Sequence, residues 1–426
     1  MAIERIKEFR LKHQTSMTTT FTAANDPSWN NDTDTWAANE AKKLAITSFD
    51  ASGLKETPIE SAVLQVEKFA NPARIPGPKQ GSLKIGMYLG KGSATVTPPT
   101  EATLLSKIFG GIASPSTNKT DLADDAGTHS VDTTYITGVE GFVVAGQAVL
   151  LGARGDGRGG GQVRRIASVN TNYITFDLAI PVAQQDGDAV VFSHTVYPDP
   201  DQAQEYFDWL AIGDGTYNQM QGIGCMGPVT INGLGIGEIP GFEVELNCGS
   251  WRWVTPPSDA IDTSAAFNGS VAPTVHEGLF LAANNGSATY NAAQKMSIGE
   301  LTIDPGITFE SKEGLNGVNG IDGFERTMCK PVVGGTILWT DAMSRSNATY
   351  NILNDDYQNS TAKNIIIQFG HTAGNCVAII IPKAYLTDGA TPKALNNLAG
   401  IEVNFEGTVT GGSGDLLNAP ITINWF

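Results

Sequence analysis

This chain has few of the groups that catalysis, metal binding or membrane insertion require. Four cysteines stand in 426 residues, at Cys225, Cys248, Cys329 and Cys376, without a CxxC pair, so the usual zinc spacings are excluded. The five histidines (His13, His129, His194, His276, His371) are scattered, and none falls in an HExxH spacing. There is no GxSxG elbow. GMYLGKGS (86–93) has neither the spacing nor the hydroxyl of a phosphate loop. With 27 Lys and Arg against 44 Asp and Glu, the net charge is −17, which argues against binding nucleic acid by phosphate neutralisation. No apolar run approaches the ~20 residues of a membrane-spanning helix. The opening MAIERIKEFRLKHQT is charged throughout and lacks an apolar leader core, so the expectation is a soluble protein made inside a cell.

What is present is β-forming sequence. Hydrophobic residues make up 41% and charged residues 17%, with 48 glycines separating short apolar runs. That combination reads as mainly β with many turns, in two or three domains. The clearest stretch is Cys225–Trp251, CMGPVTINGLGIGEIPGFEVELNCGSW. Phe242, Val244, Leu246 and Cys248 alternate with Glu243, Glu245 and Asn247, the period of a strand with one buried and one wet face. A Gly/Pro turn joins it to Val229–Asn232, which predicts a long antiparallel hairpin. Cys225 and Cys248 could then face each other, and buried free thiols are their expected state.

Residues 1–56 read as an N-terminal arm with short helices, from Ile3, Ile6, Phe9 and Arg10 and again from Trp36 to Leu44; Trp29 and Trp36 look exposed. A helix capped by Thr100 is predicted over EATLLSKIFGGI, ended by Gly110-Gly111, and a short one over 203–210. Residues 135–197 read as a small SH3-like or OB-like β-barrel, inserted between 57–134 and 198–258. A turn-rich linker spans 259–292, and strands resume over 293–426. FEVELNCG (242–249) and IEVNFEGT (401–408) share their alternation 159 residues apart. Either a domain duplication or the common alternation of half-buried strands explains it.

No catalytic centre, metal or cofactor is expected. Asp199 with Asp201, and Asp355 with Asp356, lack the context of a calcium loop. The Arg-Gly-Asp at 154–156 is a chance-level tripeptide. The loop ARGDGRGGGQVRR places Arg154, Arg158, Arg164 and Arg165 in the densest positive patch, a candidate inter-subunit contact or a solvated tip.

DWLAIGDGTYNQMQGIGCMGPVTINGL, continuing through GEIPGFEVELNCGSW, resembles the tail tube proteins of long-tailed bacteriophages. MSIGELTIDPGITF and the segment from Cys376 to Phe426 extend the resemblance more faintly, to about half of the chain. It implies a tail-tube-type β-sandwich or barrel with flanking short helices, in one or two copies. It also implies a virion protein, made in the bacterial host cytoplasm, that forms rings stacked into a hollow tube for DNA ejection. Implied partners are further copies of itself (a hexamer, or a trimer with pseudo-sixfold symmetry), a tape-measure protein, a tail terminator and distal tail proteins, with DNA in transit but not specifically bound. On that reading Glu243, Glu245, Glu402 and Glu406 line the lumen, where acidic groups repel phosphate. Alternatives are another phage structural protein (capsid decoration or baseplate) and a carbohydrate-binding β-protein using Trp251, Trp253 and Trp339.

Overall fold

The computed structural model describes residues 6–22, 29, 40–56, 77–90, 96–116, 135–137, 141–151, 161–171, 173–178, 190–213, 219–234, 238–254, 279–284, 298–338, 360, 362–387, 391–395, 397–409 and 415–426. The fold is mainly β. Strands β1 (Ile6–Gln14), β2 (Ala41–Leu44), β3 (Ser48–Asp50), β4 (Leu54–Glu56) and β5 (Lys79–Tyr88) open it, followed by α1 (Thr100–Phe109) and β6 (Gly110–Ala113). β7 (Tyr135–Thr137), β8 (Ala148–Leu151), β9 (Gln162–Val169), β10 (Tyr173–Phe176) and β11 (Val190–Phe192) form a separate antiparallel sheet in the order β11-β8-β9-β10-β7. The chain returns through β12 (His194–Pro198), β13 (Tyr206–Gly213), β14 (Gln219–Met226), β15 (Val229–Asn232) and β16 (Gly241–Val254). Then come β17 (Leu279–Asn284), β18 (Ile298–Asp304), the ribbon β19 (Ile307–Val318) with β20 (Ile321–Cys329), and β21 (Val332–Leu338). β22 (Lys363–Thr372), β23 (Asn375–Leu386), β24 (Thr391–Leu395), β25 (Leu398–Gly407) and β26 (Thr422–Trp425) complete it.

One arrangement of strands occurs twice. β1 pairs with β13 and β13 with β14; β14 and β15 share one edge of β16, while β5 takes the other. Later in the chain β17 pairs with β22 and β22 with β23; β23 and β24 share one edge of β25, while β21 takes the other. The register recurs as well. Met226 opposes Asn247, and 159 residues on Tyr385 opposes Glu406. Even an irregularity is copied: the register slips between Phe207 and Trp209, and again between Lys363 and Ile365, at corresponding places in the two ladders. Independent half-buried strands share an alternation, but they have no reason to share neighbours, register and bulge. The two sets meet where β15 bridges to β18 at Ile231 and Ile303, and β18 continues to β21.

Both sets face one core. Phe9, Trp209, Phe242 and Val244 from the first pack in the same buried cluster as Ile367, Ile379, Ile401 and Phe405 from the second. Trp209 stacks on Phe9 with ring centroids 6.4 Å apart. Its ladder partner, Gly222, must be glycine, because a Cβ there would run into the indole.

The apolar runs NIIIQF and CVAIII are explained by burial on both faces. Ile365, Ile367, Val377 and Ile379 point into the main core, while Ile366, Cys376, Ala378 and Ile380 pack beneath the five-stranded sheet with Leu150 and Val163. That sheet divides its own strands in the same way, since Val149 and Leu151 belong to its second, outer cluster. Gln368, buried at the junction, donates to the carbonyls of Gly161 (2.7 Å) and Gly370 (2.8 Å) and accepts from the Val163 N–H (3.0 Å).

Several expectations are corrected. The segment 203–210 enters strand β13 instead of forming a helix. Phe207, Trp209 and Ala211 face the core while Leu210 and Ile212 pack on the opposite side with Trp29, so both faces are apolar and periodicity loses its discriminating power. The N-terminal helices are replaced by β1 and β2, which extend the sheet beyond β13. Phe9 and Leu11 reach the core. Glu8, Arg10 and Lys12 alternate onto the other face, where they are buried rather than solvated. There Glu8 pairs with Arg10 and with Lys43 (3.2 Å), and Lys12 sits 4.3 Å from the ring centre of Trp29. Trp29 is thus buried, not exposed; Ile3 and Trp36 lie outside the described residues. Asp208 joins this layer, and burial raises its pKa even though it accepts hydrogen bonds from the Gly224 N–H (2.9 Å) and the Thr18 hydroxyl (2.9 Å).

The small unit is an open sheet rather than a barrel. Among the described residues its edge strands β7 and β11 are not paired with each other, which a barrel would require. β17 falls inside the stretch read as a linker. α1 forms where predicted, with Pro99 rather than Thr100 in the N-cap position and Gly110 at φ 106° ending it.

Candidate assembly surface

The acidic strands β16 and β25 occupy equivalent places in the repeat. Along β16, Phe242, Val244 and Leu246 enter the core and Glu243, Glu245 and Asn247 turn outward, half-buried. Along β25, Ile401, Val403 and Phe405 enter the core and Glu402, Asn404 and Glu406 turn outward. Residues directly opposed in a ladder project to the same side of a sheet. From β16 to β25 the opposed core residues are Phe242–Ile231, Ile231–Ile303, Ile303–Val333 and Val333–Phe405. Every residue between them therefore falls on the opposite side. The four glutamates share one outward face of a continuous sheet, together with Thr230 and Asn232 of β15 and Thr302 and Asp304 of β18. Four inter-strand steps of ~4.8 Å place β16 and β25 roughly 19 Å apart across this face.

The face is not purely acidic. Lys84 on β5 reaches Glu245 (3.4 Å) and Glu243 (3.8 Å), Lys393 on β24 reaches Glu402 (3.7 Å), and Lys330 reaches Glu406 (2.8 Å). Each lysine remains at least 40% exposed, so these pairs orient charge more than they stabilise the fold. The four glutamates, Asp304 and Asp50, which opposes Lys84, outnumber Lys84, Lys330 and Lys393 and leave the face acidic. Lys84 was legible beforehand: it occupies a wet position of the Leu83, Ile85, Met87 alternation.

No protein-family model matches the chain, and no curated protein matches it in sequence. The reading of this surface therefore rests on its own residues.

The arginine patch divides. Arg154 and Arg158 lie outside the described residues. Arg164 and Arg165 belong to β9, not to a loop tip, and both are buried. Arg165 binds Asp177 at 2.7 Å and the Leu417 carbonyl; Arg164 donates to the carbonyl of Val163 (2.7 Å) and to Gln162 (2.8 Å). Arg165 thus ties β9 to Asp177 after β10 and to the C-terminal segment, while these bonds of Arg164 stay within its own strand.

Cys225 and Cys248 are opposed in the β14–β16 ladder as buried free thiols. Burial first, and then Cys248 itself, raises the Cys225 pKa well above the ordinary thiol value, which removes thiolate reactivity. Trp251 is buried, with its indole N–H 3.3 Å from the Lys55 carbonyl; Trp253 is about half exposed, and Trp339 lies outside the described residues. The aromatic pair needed to stack a sugar ring is therefore not assembled at 251 and 253. Among the described residues, no group of three or more His, Cys, Asp or Glu could hold a metal ion. No described helix is long and apolar enough to cross a membrane. A cavity of about 360 Å³, lined by Pro198, Pro200, Arg326, Met328, Cys329 and Pro420 among others, sits beside the β19–β20 ribbon.

One ionic cluster carries a pH prediction. Glu205 lies 2.9 Å from His13 Nε2 and 3.1 Å from Lys107 Nζ, linking β1 to α1. Burial alone would raise the Glu205 pKa; the hydrogen bond and charge of His13, with Lys107, outweigh it and hold the group below the ordinary value of 4.5. A depressed carboxylate pKa contributes stability above the unfolded value and loses it as pH falls through the folded one. Wild type is thus expected to exceed Glu205→Gln in stability at pH 6, with the gap closing below pH 4.5, as read from urea midpoints across that range. A gap that widens on acidification would contradict the assignment.

Proposed function

We propose that this chain is a structural subunit of a phage tail tube, assembling into rings that stack around a channel for DNA. The observation carrying the reading is that its two acidic strands sit at equivalent positions of a repeated strand arrangement and share one outward face. A hollow tube needs a wall with one packed and one wet side, and a DNA conduit needs a wet side that does not hold phosphate. A net charge of −17 and a carboxylate excess on the shared face meet that requirement. The repeat bears on ring size. If each chain contributes two equivalent staves, three chains supply the six that a hexamer of single-unit subunits would, so the trimer with pseudo-sixfold symmetry is the favoured ring. Glu243, Glu245, Glu402 and Glu406 face the lumen in this arrangement. Electron microscopy of the purified protein is expected to show rings or tubes with an axial hole wide enough for duplex DNA. A protein that stays monomeric at every concentration would remove the proposal, and these glutamates on the outer wall of a tube would reverse its orientation.

A further inference from the structure

The joint between the two strand sets inside the chain has a counterpart with no partner strand among the described residues, and we propose that β24 of one copy pairs with β3 of the next. The inference rests on the ring reading and names the strands that would join its subunits. Within the chain, β15 lies along the edge of β16 and bridges to β18, which in turn lies along the edge of β21. Each of these strands has an equivalent in the other set. β24 corresponds to β15: Ile231 opposes Phe242, and Pro392 opposes Ile401, the residue that lies 159 positions after Phe242. β3 corresponds to β18: β3 flanks β5 as β18 flanks β21, on the edge away from β16 and β25 respectively.

Inside the chain β15 meets β18. Between chains the corresponding meeting is β24 with β3, and both strands are placed for it. Among the described residues β24 has β25 as its only partner strand, and β3 has β5. Thr391, Pro392, Lys393 and Ala394 are all exposed, as are Ser48 and Asp50. An open sheet edge is a template for pairing, and a repeat that uses the joint once supplies the geometry for using it again.

The register follows from the internal bridge. Ile231 with Ile303 becomes Pro392 with Ala51 of the next copy, which sets Lys393 against Asp50 and Thr391 against Ser52. The Lys393–Asp50 opposition is charge-complementary, and both residues lie on the face that carries the four glutamates. The joint therefore continues that face from one subunit to the next. Because the internal bridge is a single residue pair, a proline at its counterpart does not demand a long ladder.

The test is a cysteine pair across the joint, Ala51→Cys with Pro392→Cys, oxidised by copper–phenanthroline and read on a non-reducing gel beside electron microscopy. Cross-linked dimers and a ladder ending at the ring's subunit number are expected from the double variant, while wild type and each single variant stay at monomer size. Rings without cross-links, in this variant and in Ser52→Cys with Thr391→Cys, would overturn the joint and leave the ring reading standing. A monomer by microscopy, uncross-linked, would overturn both. If the first pair fails to fold, the Ser52/Thr391 pair, both on exposed side chains, decides by the same readout.

Discussion

Trp425→Ala is expected to lower the unfolding free energy of the unassembled chain by about 4–5 kcal/mol, the loss for emptying a large core site plus one orphaned hydrogen bond. Trp425 is fully buried in β26, one residue from the C-terminus of the sequence given. It is held between β12, where it opposes His194, and β23, where it opposes Val377. Its indole N–H donates to the Leu89 carbonyl at 2.7 Å, just beyond β5. The side chain thus ties the first strand set to the second through the shared core. Trp425→Phe separates the two contributions. It refills most of the volume and leaves the Leu89 carbonyl unpaired, so about 1–2 kcal/mol is expected. Urea unfolding followed by circular dichroism measures both. A Trp425→Ala variant within 1 kcal/mol of wild type would show that the core relaxes around the site or that β26 is dispensable.

Gln368→Leu comes next, with an expected loss of roughly 3 kcal/mol. Leucine approximates the volume, so the effect isolates hydrogen bonding. Three backbone groups (the Gly161 and Gly370 carbonyls and the Val163 N–H) lose their partner in a region closed to water, at about 1–3 kcal/mol for each left unsatisfied and less where the chain can adjust. Two of them belong to the entry into β9. Amide exchange at Val163 should therefore accelerate far more than exchange in β14 or β16, which do not touch the junction. Uniform loosening throughout the chain would mean that Gln368 acts on the global fold instead of on the docking of the five-stranded sheet.

Both sites illustrate what a sequence reveals and what it hides. The alternation of Phe242, Val244 and Leu246 with Glu243, Glu245 and Asn247 was legible because one face of that strand is wet, and a period of two survives wherever the two faces differ. The strands of β22, β23 and β13 carry no such record, because both of their faces are covered. The first two were recognisable as strands from their β-branched runs, and the third passed for a helix. Glu8, Arg10 and Lys12 run against the usual rule. Charges usually mark solvent, yet Glu8 is paired under cover with Arg10 and Lys43, and Lys12 lies over the ring of Trp29, so the rule that charge marks the surface fails where charges are partnered. Gln368 carried no signal at all, since its partners are backbone groups that every residue possesses.

The recurring strands divide along the same line. Composition and local pattern by themselves established the fold class, the acidic balance, most of the strands and the faint echo between 242–249 and 401–408. They could not establish that the echo is a repeat. That rests on which strands neighbour which, on a shared register and on a copied bulge, all of them long-range hydrogen-bonding choices that leave no mark on a local alternation. Only the tertiary structure set Lys84, Lys330 and Lys393 among the glutamates, and only it placed all four glutamates on one face. A face is a property of a sheet, and a sheet exists only once distant segments have paired.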